Sequence, residues 1–340
     1  MRILSRAALS AGCMMALLTA AYGQEWKPDR PINIIVPWAA GGSTDQVTRV
    51  AAPLLEKALG QPVVVVNQPG ASGATGTQAA LAAPRDGYTW TANAIANNAT
   101  YAITGLVPNT SIKDYRVYLS VANIPVVSVN KDAPWKDMGE LLAAMKSAEK
   151  PTVATAGVNS SGGMALAAVQ EASGGEGRMI AYDGGGPAAI AAAGGEAQVT
   201  TQLASEQAEL IKGGQLRPLA ALSDKPLEIE GIAEPIPPIT KWLPEMHVAP
   251  DYFGILIPTG APQEVYDTVD KVWQDVIMNS EEFKNYARQR GAVFDPAFGE
   301  EGLKKAMPVI ISEACARVDR GEAVIQPSEF GINCETRTAQ

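Results

Sequence analysis

The sequence predicts an α/β protein of two doubly wound sheets joined by crossing segments, and three observations predict it. Short apolar runs of the kind made by buried parallel strands, such as Ile32 to Val36 and Val63 to Val66, alternate with helical patterns. Polar glycine loops follow the strands at Trp38 to Thr44, Asn67 to Gly76, Gly157 to Gly163 and Tyr182 to Pro187. The strand–loop–helix grammar appears twice, before about Ala122 and after it.

Pro37 stops the first strand. Beyond the loop, Val47, Val50, Ala51, Leu54, Leu55 and Ala58 recur at helical spacing, with Ser43, Thr44 or Asp45 as a natural N-cap. A glycine turn feeding a helix start exposes N–H groups at the positive end of a helix dipole, which suits an anion. Any α/β unit needs such a turn, so the local pattern leaves anion binding and plain turn-making equally open. Val63 to Val66 is a second buried strand, and a helical pattern runs from Gln78 to Ala83. Asp86-Gly87 turns into a third strand, Tyr88 to Ala92, with Asn93 to Asn98 as a polar exit.

In the second half, Pro125 to Val129, Thr152 to Ala156 and Met179 to Ala181 read as strands. Asp137 with Glu140 starts a helix over Met138 to Ala148, another helix begins near Met164, and Pro187 suits the first turn of Ala188 to Ala193. Ser223 to Pro250 is a proline-rich crossing. Phe253 to Ile257 is a strand, followed by helices over Gln263 to Ile277, Ser280 to Gln289 and Glu300 to Val318, for which the N-terminal sheet is the natural host. The expected division is 24–122 plus 253–340 as lobe I and 123–252 as lobe II, with the glycine loops facing each other across a cleft.

Met1 to Gly23 reads as a secretory leader: Arg2 and Arg6, an apolar stretch from Ala7 to Ala20, and the small–bulky–small Ala21-Tyr22-Gly23. Cys13 lies in the middle of the apolar stretch, which argues against a lipid anchor. Removing the leader takes the formal net charge from −9 to −11, a poor balance for nucleic acid or anionic lipid. Any anion must then be held by local amide and hydroxyl donors. His247 is the only histidine and no Cys-x-x-Cys occurs, so zinc sites and most histidine-based catalysis are excluded; no metal and no cofactor are expected.

Six motifs carry a family resemblance. They are Pro31-Ile-x-Ile-Ile-Val-Pro-Trp-x-x-Gly-Gly-Ser-x-Asp45, Gly60-Gln-Pro-Val-Val-Val-x-Asn-x-Pro-Gly-Ala-x-Gly73, Asp86-Gly-Tyr-Thr89, Tyr182-x-Gly-Gly-Gly-Pro187, Gly213-x-x-Leu-Arg-Pro-Leu-Ala220 and Pro258-Thr-Gly-Ala-Pro262. In order, from about Glu25 to Ile332, they resemble the extracytoplasmic receptors of tripartite tricarboxylate transporters, the Bug family. The resemblance implies a periplasmic, Venus-flytrap solute-binding protein that passes a small carboxylate to a membrane permease. It is expected to be a monomer and not an enzyme.

The resemblance also implies the ligand set. Trp38, Gly41, Gly42, Ser43, Thr44 and Asp45 come from the first lobe. Gly157, Asn159, Ser160, Ser161, Tyr182, Gly184 and Gly185 come from the second. Gly163 stands where the family often has histidine, and Asp183 where it often has Lys, Arg or Asn. The cleft therefore lacks a cation that relatives often carry.

Other readings stay beside these. Asp45 reads first as a helix cap, though it could bind an amine. Ser160 and Ser161 can cap and bind with the same groups, His247 reads as an ordinary surface residue, and Glu281-Glu282 as a solvated helix start. An exported enzyme has no support: there is no Gly-x-Ser-x-Gly elbow and no metal cluster. A co-receptor for a membrane sensor kinase would share fold and pocket with a transport receptor. Cys315 and Cys334 remain after export, and a disulfide between them is favoured over a buried Cys315 with a free Cys334.

Overall fold

In the computed structural model, residues 26–108 and 110–339 are described; the expected leader lies outside them. The first sheet begins with β1 (Ile32–Val36), which leads through the first glycine loop into α1 (Ser43–Leu59). β2 (Val63–Asn67) precedes α2 (Ala74–Ala82), and β3 (Thr89–Ala94) runs straight into α3 (Ile95–Thr100). β4 (Tyr115–Asn123) completes this part, and two residues later β5 (Val126–Asn130) opens the second sheet.

The second sheet continues with α4 (Met138–Met145), β6 (Thr152–Thr155), α5 (Ser161–Ser173), β7 (Arg178–Ala181) and α6 (Gly185–Ala193). It closes with β8 (Val199–Thr200), α7 (Ala204–Lys212) and β9 (Leu216–Ala221). The chain then returns through the proline-rich segment, in which Leu227 and Ile236 form an isolated bridge, to β10 (Asp251–Pro258). After β10 come α8 (Gln263–Asp275), α9 (Glu281–Arg290), β11 (Ala292–Phe298), α10 (Gly299–Asp319) and a small hairpin of β12 (Ile332–Asn333) with β13 (Thr338–Ala339).

The six-stranded sheet has the order β11-β4-β10-β3-β1-β2 and the five-stranded sheet β7-β6-β8-β5-β9. Each contains a parallel, doubly wound part, β3-β1-β2 in one and β7-β6-β8 in the other. Antiparallel strands extend both: β10 pairs antiparallel with β3 and β4, and β5 with β8 and β9. The C-terminal helices do cover the first sheet, with Tyr266, Val269 and Trp273 of α8 and Phe283 of α9 in its core. Trp273 satisfies its indole by donating to the Leu119 carbonyl at 2.8 Å.

Several elements differ from the sequence reading. The polar exit after β3 is the helix α3, whose Asn97, Asn98 and Thr100 are buried. A solvent-facing segment would be polar for a different reason; here Asn97 donates across to the Asn159 carbonyl of the third loop, while Asn98 accepts from Asn93 and Thr100 donates back to Ala96 within the same lobe. β4 has eight of its nine residues buried, so no alternation betrays it. The α2 helix starts four residues earlier than its apolar pattern suggests. Gly76 permits this, because a Cβ there would stand 2.8 Å from Pro37 Cα and 2.7 Å from the Gln68 carbonyl. The N-cap of α1 is Gly42, with no side-chain cap, rather than Ser43, Thr44 or Asp45.

A disulfide joins Cys315, fully buried in α10, to Cys334 just beyond β12, with Cα atoms 5.2 Å apart. It pins the C-terminal hairpin to the helix.

Candidate functional site

The four glycine loops meet in pairs between the two sheets. The first meets the fourth: the Ala39 amide donates to the Asp183 carbonyl at 3.1 Å. A Cβ on Gly186 would stand 3.0 Å from the Gly41 carbonyl carbon, and one on Gly184 3.1 Å from Ala39 N. The second meets the third, where a Cβ on Gly157 would run into the Ser72 hydroxyl. At Gly184 and Gly186 backbone lies on backbone, and at Gly157, with φ +98, the Ser72 side chain fills the space a Cβ would need.

Between the paired loops lies a cavity of about 20 Å³, room for about one water. Its lining brings together Trp38, Gly42, Ser43 and Thr44 with Ser160, Ser161 and Gly185. Three helices point their N-termini at this space, α1 from one sheet and α5 and α6 from the other. Their partial positive charges converge, and no Lys or Arg lines the cavity. Trp38 forms a wall, fixed by its indole donating to Asn93 Oδ1 at 2.8 Å.

Other expected site residues stand outside the lining. Asp45 accepts from the Gly41 amide at 2.9 Å, from Arg49 Nε at 3.0 Å and from Asn67 Nδ2 at 2.9 Å. Burial alone would raise its carboxyl, but these hydrogen bonds outweigh it and hold the group below its usual range. It braces the first loop and is not turned into the cavity. Tyr182 points away, its hydroxyl donating to Glu196 at 3.3 Å. Asn159 supports the third loop, its Nδ2 donating to Thr104 Oγ1 at 2.9 Å and its carbonyl accepting from Asn97. Gly41, Gly157 and Gly184 shape the loop contacts.

The lining also holds residues that sequence reasoning missed: Asn97, Gln202, Leu203, Phe253 and Glu206. Glu206 sits in the first turn of α7, with Oε2 accepting from its own Leu203 amide at 3.1 Å and Oε1 reaching across to the Ser43 amide at 2.8 Å. With its amide oriented to satisfy both neighbours, Gln202 donates to Glu206 Oε2 at 2.9 Å and accepts from Ala156 N at 2.8 Å. Burial pushes the Glu206 carboxyl up to about 7, although the Ser43 and Leu203 amides pull the other way. In sequence, Glu206 signals only a helix start.

A second enclosed acid lies beside the cavity. Asp251, at the start of β10, accepts from Ser161 Oγ at 2.8 Å. Burial, and secondarily the charge of Glu313, push it up to about 7. His247, by contrast, is exposed. Among the described residues, no group of three or more His, Cys, Asp or Glu could hold a metal ion, and no helix is long and apolar enough to cross a membrane.

Comparison with known proteins places this architecture. Residues 47–294 match the Tripartite tricarboxylate transporter family receptor. Protein BugT of Bordetella pertussis is 29% identical over 281 residues, covering 80% of this chain and 84% of the relative. The solved periplasmic binding protein BugD superposes with a TM-score of 0.78 at 25% identity, over 87% of this chain and 99% of that one. A protein of R. palustris solved with adipate also superposes with a TM-score of 0.78, at 22% identity, over 87% and 99% of the two chains. The two-lobed, periplasmic-binding-protein fold is thus accounted for, and the chain belongs to the tripartite tricarboxylate transporter receptor family.

Proposed function

We propose that this receptor captures a small organic carboxylate between its lobes and delivers it, as a monomer, to the permease subunits of a tripartite tricarboxylate-type transporter. The observation that carries this reading is the convergence of helix N-termini from both lobes on a cavity that no cation lines. Amides and hydroxyls can hold a carboxylate there without a salt bridge. The moving parts are residues 24–122 with 253–340 and residues 123–252, and the short link from Asn123 to Val126 is one hinge strand. Ser43, Thr44, Ser160, Ser161 and Gly185 are the proposed contacts, with Trp38 as the wall. Gly41, Asp45, Gly157, Asn159, Tyr182 and Gly184 shape the loops behind them. Adipate in the R. palustris protein is a carboxylate of the proposed class.

A melting screen against adipate, malate, succinate, benzoate and related acids tests the reading. A solute at ~100 times its dissociation constant is expected to add about 2.7 kcal/mol to stability. A broad panel that leaves the melting temperature unmoved would count against capture of carboxylates.

Gly42→Phe gives a second expectation. Gly42 has ordinary extended backbone (φ −73, ψ 166), so a side chain there is not strained. Its Cβ would enter the cleft 3.4 Å from Glu206 Oε1 and 3.7 Å from Gly185 N. The ring is expected to leave the circular dichroism spectrum unchanged and to weaken solute binding by at least about 100-fold. Wild-type affinity in that variant would move the site elsewhere.

A further inference from the structure

The contact between Glu206 and Ser43 is more than a helix cap. The bond to Leu203 N caps α7, and that is all a structural role at the start of α7 requires. The other oxygen crosses to the opposite lobe and takes the amide of Ser43, the first residue of α1, whose N-cap Gly42 supplies no acceptor of its own. The place is shaped for a carboxylate. A Cβ on Gly185 would run into the Glu206 carboxylate, so a glycine on the lobe II side keeps the slot open. The neighbouring Ser205 hydroxyl is in hydrogen-bond contact with the Ser43 hydroxyl, repeating the crossing one residue earlier. The remaining cavity has room for about one water, so a second carboxylate cannot share the seat.

We infer that Glu206 is a tethered carboxylate that fills the anion seat of α1, closing the cleft without solute and restricting capture to solutes whose carboxylate rests on the N-termini of α5 and α6. The solute-class part of this rests on the carboxylate-capture reading above; the closure part does not. With Glu206 in place, a solute is expected to face it with a hydrogen-bond donor, such as a hydroxyl, amide or amine. A dicarboxylate that would put its second charge at α1 is excluded by like-charge repulsion in a site without a cation.

The test uses full-length mature protein, freed of bound solute by unfolding and refolding, at pH 8. Solution scattering is expected to find the wild type compact without solute and Glu206→Ala expanded. Sodium acetate, against sodium chloride at equal ionic strength, is expected to return Glu206→Ala to wild-type dimensions and raise its melting temperature, with little effect on the wild type. Succinate is expected to bind Glu206→Ala at least about tenfold more tightly than the wild type. Gly185→Ala keeps Glu206 and its α7 cap but fills the slot, so it is expected to be expanded and to ignore acetate. A Glu206→Ala protein as compact as the wild type, or an equal acetate response in both, overturns the inference. Should Glu206→Ala fail to refold, Gly185→Ala decides: expanded dimensions support the tether, and wild-type dimensions overturn it. A wild type that is open without solute yet binds a carboxylate refutes the tether and leaves the capture reading standing.

Discussion

Raising the pH from about 5 to about 8 is expected to destabilise this protein, and Asp251→Asn to remove a large part of that loss. Asp251 is pushed up to about 7 in the fold, chiefly by burial, from an ordinary value near 3.8. Its folded value lies above its unfolded one, so the native state binds the extra proton. That contribution is fully present below about pH 4 and is lost as pH rises through about 7. The loss is on the order of 3 kcal/mol for such a shift. Glu206, also pushed up to about 7, adds a loss of the same sign. Asparagine cannot ionise and can still bond Ser161 Oγ, so the variant should gain stability at pH 8 and little at pH 5. Urea unfolding of both proteins across this range checks it; parallel pH profiles would show that Asp251 is not the source.

Removing the Cys315–Cys334 bond is expected to cost roughly 3 kcal/mol by the loop-closure estimate for its separation of 19 residues. Part of the cost is local. Cys315 is fully buried in a cluster with Ile310, Ala314 and Ile332, and Cys334 packs against that cluster. Cys315→Ala with Cys334→Ala should melt lower while binding solute with unchanged affinity, because the glycine loops lie on other segments. Counting thiols in unfolded, unreduced wild type gives the direct check. None is expected, and two reactive thiols per mature chain would contradict the bond.

The parallel half of each sheet was legible because its strands are short apolar runs that end in glycine loops. Ile32–Val36 with α1 and Thr152–Thr155 with α5 follow that rule closely. The antiparallel strands were harder. β4 is buried on both faces, and β11 carries Asp295 and Pro296 through a register shift, so neither shows a clean period. α3 was missed because Asn97, Asn98 and Thr100 look like a solvated turn, whereas tertiary burial decides their fate. In the site, residues beside the glycine loops could be named from sequence. Glu206, Gln202 and Phe253 could not, since they arrive from β10 and from the start of α7 only when the lobes come together.

The glycine-on-glycine contact between the lobes has an entropic side. Ordering a long polar side chain at a closing surface costs up to about 2 kcal/mol of rotamer freedom, while glycine and alanine lose none. Ala39 and Gly41 meet Gly184 and Gly186, so apart from Glu206, held beside Gly42 and Gly185, the loops dock without freezing a flexible side chain on either face. They also bury little apolar surface in doing so. Closing there is inexpensive, and so is reopening: the junction adds little grip of its own, and whatever bridges it through hydrogen bonds sets how long the jaws stay shut.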